Sequence, residues 1–182
     1  MNKKIFGLLL VLQLGWSCAW SQQLTGIATQ WSDSFAEWII FTDVEEERGE
    51  LRLRWNSQGD WTQWEYRIGE WTGLIKAKWP NRVDEWEVRG ENVIVYARAI
   101  WRDDPREWRV SSPAGYQYKW RSRYGNISEE WLMDTDNYGH FEMYTAYEGD
   151  PREWVIIDEL AASLPERMML VFLTLINSTP KQ

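Results

Sequence analysis

Apolar and polar residues alternate strictly in short runs along most of this chain. The runs LRLRW (51–55), EWEVR (85–89), YQYKW (116–120) and HFEMYTAY (140–147) place every second side chain on one face. A period of two, rich in aromatic and aliphatic residues, marks half-buried β-strands. Turn signals punctuate the runs: RGE at 48–50, RGEN at 89–92, SSPAG at 111–115 and DTDNYG at 134–139. The links are too short for crossover helices, so consecutive strands must run antiparallel, as a meander.

A second period lies over the first. WRDDPREW (101–108) and YEGDPREW (147–154) are near copies. WSDSFAEW (31–38) and WPNRVDEW (79–86) have the same spacing of seven between aromatic ends, while WNSQGDWTQW (55–64) and WRSRYGNISEEW (120–131) are stretched forms. The leading aromatics fall at 31, 55, 79, 101, 120 and 147. A period of about 23 residues signals one repeated supersecondary unit.

The pattern predicts six hairpins, each pinned by an aromatic cross-strand pair: Trp31 with Trp38, Trp55 with Trp64, Trp79 with Trp86, Trp101 with Trp108, Trp120 with Trp131, and Tyr147 with Trp154. With Trp79 opposite Trp86, Ala77 faces Val88 and Lys78 faces Glu87. The same register sets Leu53 opposite Tyr66, Arg54 opposite Glu65 and Ala99 opposite Val110. One face is then aromatic and aliphatic and the other mostly charged. Such pairs contribute roughly 0.2–1 kcal/mol each. About 11 or 12 strands follow from six hairpins. An open sheet of that size would leave two bare edges and a large apolar face. The expected fold is therefore all-β, an antiparallel meander rolled into a shallow barrel with its apolar face inside.

The C-terminus differs. DELAASLPERMMLVFLTLINS (158–178) lacks strand punctuation. Ser163 and Glu166 have capping-box spacing, and Pro165 is tolerated in a first turn. Met168 to Ile176 is apolar on every side, so a helix here must be buried. LVFLTLI is also β-prone, which leaves one long strand as the alternative. A buried helix is the preferred reading, because it would fill a wide barrel.

Residues 1–21 have the parts of a secretory signal: Lys3 and Lys4, an apolar run from Ile5 to Leu14, and Ala19-Trp20-Ser21 as a small-x-small site before Gln22. The apolar run is too short to span a bilayer as a helix. The expected organisation is a signal peptide at 1–21 and a single domain at 22–182. Cys18, the only cysteine, offers lipoprotein processing as an alternative, although Leu14-Gly15-Trp16-Ser17 resembles a lipobox poorly. Cleavage before Gln22 would leave no disulfide and no thiol chemistry. Loss of the two lysines would take the formal charge from −8 to −10. An acidic chain without a basic run is a poor nucleic-acid ligand. It is also poorly suited to electrostatic docking on anionic lipid.

Serial short hairpins punctuated by paired Trp, with W-x5-E-W loops over roughly residues 24–157, resemble the β-flower proteins. The resemblance implies hairpins radiating around a shallow barrel with an apolar middle. That fold is in turn similar to the Tubby C-terminal domain, a 12-stranded barrel around an apolar C-terminal helix, which segment 158–178 would match. Tubby-like domains bind phosphoinositides through basic residues, and no matching basic cluster occurs here. Fold alone does not give function.

Candidate chemistry is sparse. His140 is the only histidine, so a Ser–His–Asp triad would have to use it, and it follows a turn with no nucleophile-elbow motif nearby. No zinc site of the usual His/Cys type is expected. The Glu before each trailing Trp (Glu37, Glu85, Glu107, Glu130, Glu153) recurs in every unit but one, which suits structure better than an unlike catalytic pair. DTDNYG lacks the later bidentate Glu of a calcium loop. No cofactor is expected. Trp61, Trp71, Phe35, Tyr124 and Tyr138 fall in loops and are the candidate ligand-binding residues. The leading functional expectation is an exported, non-enzymatic binding module, with lipid or another apolar ligand at the barrel mouth. Carbohydrate binding through loop tryptophans, a secreted hydrolase using acidic residues, and a subunit of an envelope assembly are the alternatives.

Overall fold

The computed structural model describes residues 22–55, 59–80, 82–125, 127–134 and 137–181. The signal-like segment 1–21, Cys18, and Thr135 and Asp136 of the acidic turn lie outside them. Twelve strands follow in order: β1 (Leu24–Trp31), β2 (Ser34–Thr42), β3 (Gly49–Trp55), β4 (Asp60–Ile68), β5 (Trp71–Trp79), β6 (Arg82–Gly90), β7 (Val93–Trp101), β8 (Asp104–Ser111), β9 (Gln117–Tyr124), β10 (Ile127–Met133), β11 (Phe141–Tyr147) and β12 (Asp150–Asp158). Each pairs antiparallel with its neighbours in sequence, and β12 closes onto β1. The expected meander is thus a closed barrel, and the expected apolar C-terminal segment is a helix, α1 (Leu164–Ser178).

Side-chain alternation sends Leu51, Leu53, Trp64, Tyr66, Ile75, Trp86, Val88, Val95, Trp108 and Val110 inward, where they are buried. The outer face carries cross-strand ion pairs: Arg52 with Glu65 at 2.6 Å, Arg67 with Glu50 at 3.1 Å and Lys76 with Glu87 at 3.5 Å. A lipid-facing barrel needs an apolar outer band; this wall has ionised groups instead.

The helix runs up the middle of the barrel. Burial from Leu164 to Ile176 on all sides follows from its uniform apolarity. Its 15 residues span about 22 Å at 1.5 Å per residue. Phe172 meets Trp86 edge-on at 4.6 Å and Trp64 at 5.8 Å. Trp120 Nε1 donates to Thr174 Oγ1 at 3.2 Å, and Trp131 Nε1 donates to Ser178 Oγ at 2.9 Å. At the start of the helix, Glu166 Oε2 accepts from the Ser163 backbone N–H at 2.8 Å and its hydroxyl at 2.7 Å. The segment at 158–163 is not helical: Asp158 ends β12 and the rest is a link. Arg167 ties this end of the barrel together. Its Nη1 donates to Gln22 O at 2.9 Å, its Nη2 donates to Leu160 O at 2.7 Å, and its Nε lies 3.3 Å from Asp158 Oδ1.

The predicted hairpin register is corrected by two residues. Ala77 faces Trp86, Ile75 faces Val88 and Lys76 faces Glu87. Leu53 faces Trp64 and Arg52 faces Glu65. Ala99 faces Trp108. The cause is a bulge in the returning strand of every hairpin: Trp79 pairs with Arg82, so two steps back along β5 correspond to four along β6. Bulges of this kind bend and twist a strand locally. A shift of two keeps each side chain on its face, so the wall follows the alternation, but the expected aromatic pairs at the tips do not form inside: Trp55, Trp79 and Trp101, expected on the inner face, are exposed.

The unit around Trp120 is corrected as well. Trp120 pairs with Met133 in the barrel wall, while Tyr124 occupies the tip opposite Ile127. The true repeat there is Tyr124 to Trp131, at the spacing of seven found in four of the other five loops. Trp120 and Trp131 nevertheless stack, 6.2 Å apart.

Candidate functional site

In an antiparallel meander the tips of β1–β2, β3–β4, β5–β6, β7–β8, β9–β10 and β11–β12 all lie at one end of the barrel. Each tip has the same construction. The trailing Trp turns inward and its indole N–H donates to the carbonyl three residues earlier: Trp38 to Phe35, Trp64 to Trp61, Trp86 to Val83, Trp108 to Pro105, Trp131 to Ser128 and Trp154 to Pro151, at 2.6–3.3 Å. These six are at most 3% exposed. The leading aromatic is the opposite. Trp31, Trp55, Trp79, Trp101, Tyr124 and Tyr147 are 44–65% exposed. They form a ring of aromatic faces around the tip end, with neighbouring hairpins about 10 Å apart at the wall, twice the strand spacing.

The residues quoted as repeats set this geometry. Asp104 and Asp150 each grip the Arg two residues on through both carboxylate oxygens, and each accepts its backbone N–H at 3.1 Å. Ser34 and Asp60 accept the corresponding N–H in their own loops. The arginines hold the Asp104 and Asp150 carboxyls below the ordinary range through hydrogen bonding. Proline fits between them because its missing N–H is not needed at a bulge.

The recurrent Glu has a structural partner: Glu37 Oε2 accepts Trp31 Nε1 at 2.9 Å, Glu107 accepts Trp101 at 2.9 Å and Glu85 accepts Trp79 at 3.3 Å. The exposed indoles of Trp31, Trp79 and Trp101 are therefore held by their edges. Glu85 also meets Lys78 Nζ at 3.0 Å, and Glu130 meets Arg123 at 2.7 Å. Hydrogen bonds from Lys78 first, and then Trp79, hold the Glu85 carboxyl below its usual range against the cost of desolvation. Cations lie over two rings, Arg54 at 5.3 Å from the Trp55 centroid and Lys78 at 5.6 Å from that of Trp79.

The five aromatics expected in loops do not form one site, and four of them are strand residues near hairpin turns: Phe35 in β2, Trp61 in β4, Trp71 in β5 and Tyr124 in β9. Phe35 and Trp61 are half-buried at the tip end, packed on Trp38 and Trp64 at 6.0 and 5.5 Å. Tyr124 belongs to the exposed ring. Trp71 opens β5 at the opposite end, beside the Gly69–Glu70 turn. Tyr138 is also at that end, packed on Tyr116 at 4.7 Å and Tyr118 at 5.5 Å. The ring residues that sequence reasoning missed were all visible as repeat positions. Treating both ends of each loop as equivalent staples concealed the difference between them.

His140 sits before β11 with Nε2 3.3 Å from Glu142 Oε2. Asp134 of the acidic turn is held by Arg121 at 2.8 Å and Lys119 at 3.4 Å. Among the described residues no cluster of three or more His, Cys, Asp or Glu side chains could hold a metal, and no helix is long and apolar enough to cross a membrane. Comparison with known proteins finds no matching family model, no matching curated sequence and no matching solved structure.

Proposed function

We propose that this protein is an exported, non-enzymatic binding module that engages carbohydrate through the exposed aromatic ring at its hairpin tips. One observation carries the reading: the same solvent-facing ring, edge-on to a carboxylate where Trp31, Trp79 and Trp101 meet their Glu, recurs around one end of the barrel. A sugar presents an apolar C–H face to stack on such a ring and hydroxyls to bond the polar groups beside it. Immobilising the ring in advance lowers the ordering cost of binding.

Export rests on the signal-like pattern at 1–21. In its favour, Gln22, the residue that would follow cleavage, is tied into the fold by Thr42 at 3.1 Å, Glu47 at 2.6 Å and Arg167 at 2.9 Å. The likeness to β-flower and Tubby-type domains belongs to the same proposal, supported by serial hairpins around an apolar C-terminal helix. Lipid at the barrel mouth is the weaker reading. The helix occupies the interior, and Asp33, Asp103 and Glu148 lie at the tips beyond the rings, where a bilayer surface would meet carboxylates first.

The test is affinity electrophoresis of residues 22–182 through gels containing a panel of neutral and acidic polysaccharides, with tryptophan emission recorded alongside. Retardation by at least one polysaccharide, lost in a Trp79→Ala/Trp101→Ala variant, is the expected result. No retardation, together with co-flotation on phosphatidylcholine vesicles, would overturn the carbohydrate reading in favour of lipid.

A further inference from the structure

On the outer wall below the Trp79 tip, the strand register brings like charges together. Arg98 on β7 is directly opposite Arg109 on β8, and Arg109 is directly opposite Lys119 on β9. Like charges in this arrangement repel. Elsewhere on the wall cations are matched, as Arg52 is by Glu65 and Arg67 by Glu50. Here they are not. Among the described residues the Arg109 guanidinium makes no hydrogen bond or ion pair. Arg98 has Glu85 at 3.8 Å, and that carboxylate is already engaged by Lys78 at 3.0 Å.

Arg98, Arg109 and Lys78 line a groove of about 410 Å³ together with Tyr96, Ser111 and Glu85. The groove joins the aromatic ring. Lys78 Nζ lies 5.6 Å from the Trp79 centroid and 6.0 Å from that of Tyr96, whose ring is itself exposed. One unpaired guanidinium, Arg109, and a second, Arg98, held only by a 3.8 Å contact, lie next to exposed aromatic faces and fit a ligand that has both an oxyanion and an apolar ring face.

We propose that this groove binds an acidic sugar unit of a polysaccharide, with Arg98 and Arg109 on its carboxylate or sulfate and Tyr96 and Trp79 against its pyranose faces. The proposal rests on the carbohydrate reading of the tip ring and narrows it to anionic glycans. Guanidinium recognises planar oxyanions through paired N–H donors. In a chain of negative overall charge, the attraction is local to the groove.

The experiment compares binding of polygalacturonate, dextran sulfate and neutral dextran to residues 22–182 by titration calorimetry. It uses the unmodified domain, Arg109→Gln, Arg98→Gln and, as a control at a matched pair, Arg67→Gln. All four are checked by thermal melting. At least one anionic polymer binds tighter than dextran, and Arg109→Gln weakens it about tenfold, the loss expected for one charge-assisted contact. Arg67→Gln leaves it unchanged. Whichever polymer binds distinguishes a carboxylate from a sulfate. If neutral polysaccharides bind and neither anionic polymer does better, or if Arg109→Gln has no effect, the groove proposal is overturned and the tip-ring reading stands. If no polysaccharide binds, both fall.

Discussion

Trp101 Nε1 lies 2.9 Å from Glu107 Oε2, and Trp31 and Glu37 repeat the contact at the same distance. The Glu in W-x5-E-W is a bracket for an exposed ring, not a partner for the buried Trp beside it. Replacing Glu107 with Ala should release the Trp101 indole while costing little stability, within about 0.5 kcal/mol as for other surface changes. Indole N–H NMR signals would report this: the Trp101 resonance should shift and broaden, and the Trp108 resonance should stay in place. An unmoved Trp101 signal would show that the bracket is not needed.

The two ends of one loop should differ sharply. Trp108 is fully buried and Trp101 is 60% exposed. Trp108→Ala should cost about 3–5 kcal/mol, the range for a large buried ring, and Trp101→Ala about 0.5 kcal/mol or less. Urea melts of the two variants decide it. Equal losses would restore the picture of two equivalent staples.

Tyr66 on β4 lies across Gly73 on β5 and reaches Gly90 on β6. A methyl group at Gly73 would fall 2.2 Å from the Tyr66 ring, and one at Gly90 would fall 2.5 Å from its hydroxyl oxygen. Gly73→Ala should therefore cost about 1–3 kcal/mol through overpacking. Part of that should return in Gly73→Ala/Tyr66→Leu. Among the described residues the buried Tyr66 hydroxyl has no hydrogen-bond partner. Tyr66→Phe should accordingly be neutral or stabilising, since it removes an unpaired polar atom. A thermal melt with a lower midpoint for Tyr66→Phe would contradict this.

Lys78 and Trp79 hold the Glu85 carboxyl below its ordinary value of 4.5. A depressed folded value means that the stabilisation is present above the unfolded value and lost as pH falls through the folded one. Its partners Lys78 and Trp79 are exposed to solvent, so the stability at stake is small. The Trp79 indole N–H resonance should titrate with a midpoint below pH 4.5. That step should be absent in Glu85→Gln. A midpoint above 4.5 would mean that the two hydrogen bonds do not form in solution.

At the entry of the helix, Arg167 and Asp158 form a buried pair, and burial raises the Asp158 carboxyl against the pull of Arg167. Removing one partner of such a pair leaves a charge without compensation, at a cost of about 3–5 kcal/mol. Arg167→Met should lose that much. The double variant Arg167→Met/Asp158→Asn should lose less than the two single changes added together, as a double-mutant cycle in urea would read.

Much of the fold was legible from the spacing of Trp and the alternation between. Leu51, Tyr66, Val88 and Val110 were placed inward correctly because an error of two residues preserves the face. The bulge itself left no such mark: it changes how many residues lie between partners without changing the period of either strand. It is also what separates Trp79 from Trp86, so the ring of exposed aromatics was hidden with it. Tyr124 was singled out as a candidate ligand contact but not as a repeat end, because Trp120, four residues earlier, is a stronger aromatic signal although it belongs to the wall. Nor could the unpaired Arg109 be found, since the expected register set Ala99 opposite Val110, two residues out of line, and no register was read for β8 with β9.

The first strand of the barrel is hydrogen-bonded to the last, and the helix that fills the centre follows both. During synthesis, β1 must wait for its partner until all the other strands have been made. The six hairpins can form in sequence as they emerge, each a local contact that is quick to close. Their inner faces have nothing to pack around until Met168 to Ile176 are available. The last tenth of the chain thus determines when the rest can stop being a string of hairpins, and a nascent chain arrested before α1 would be an open sheet with its tryptophans uncovered.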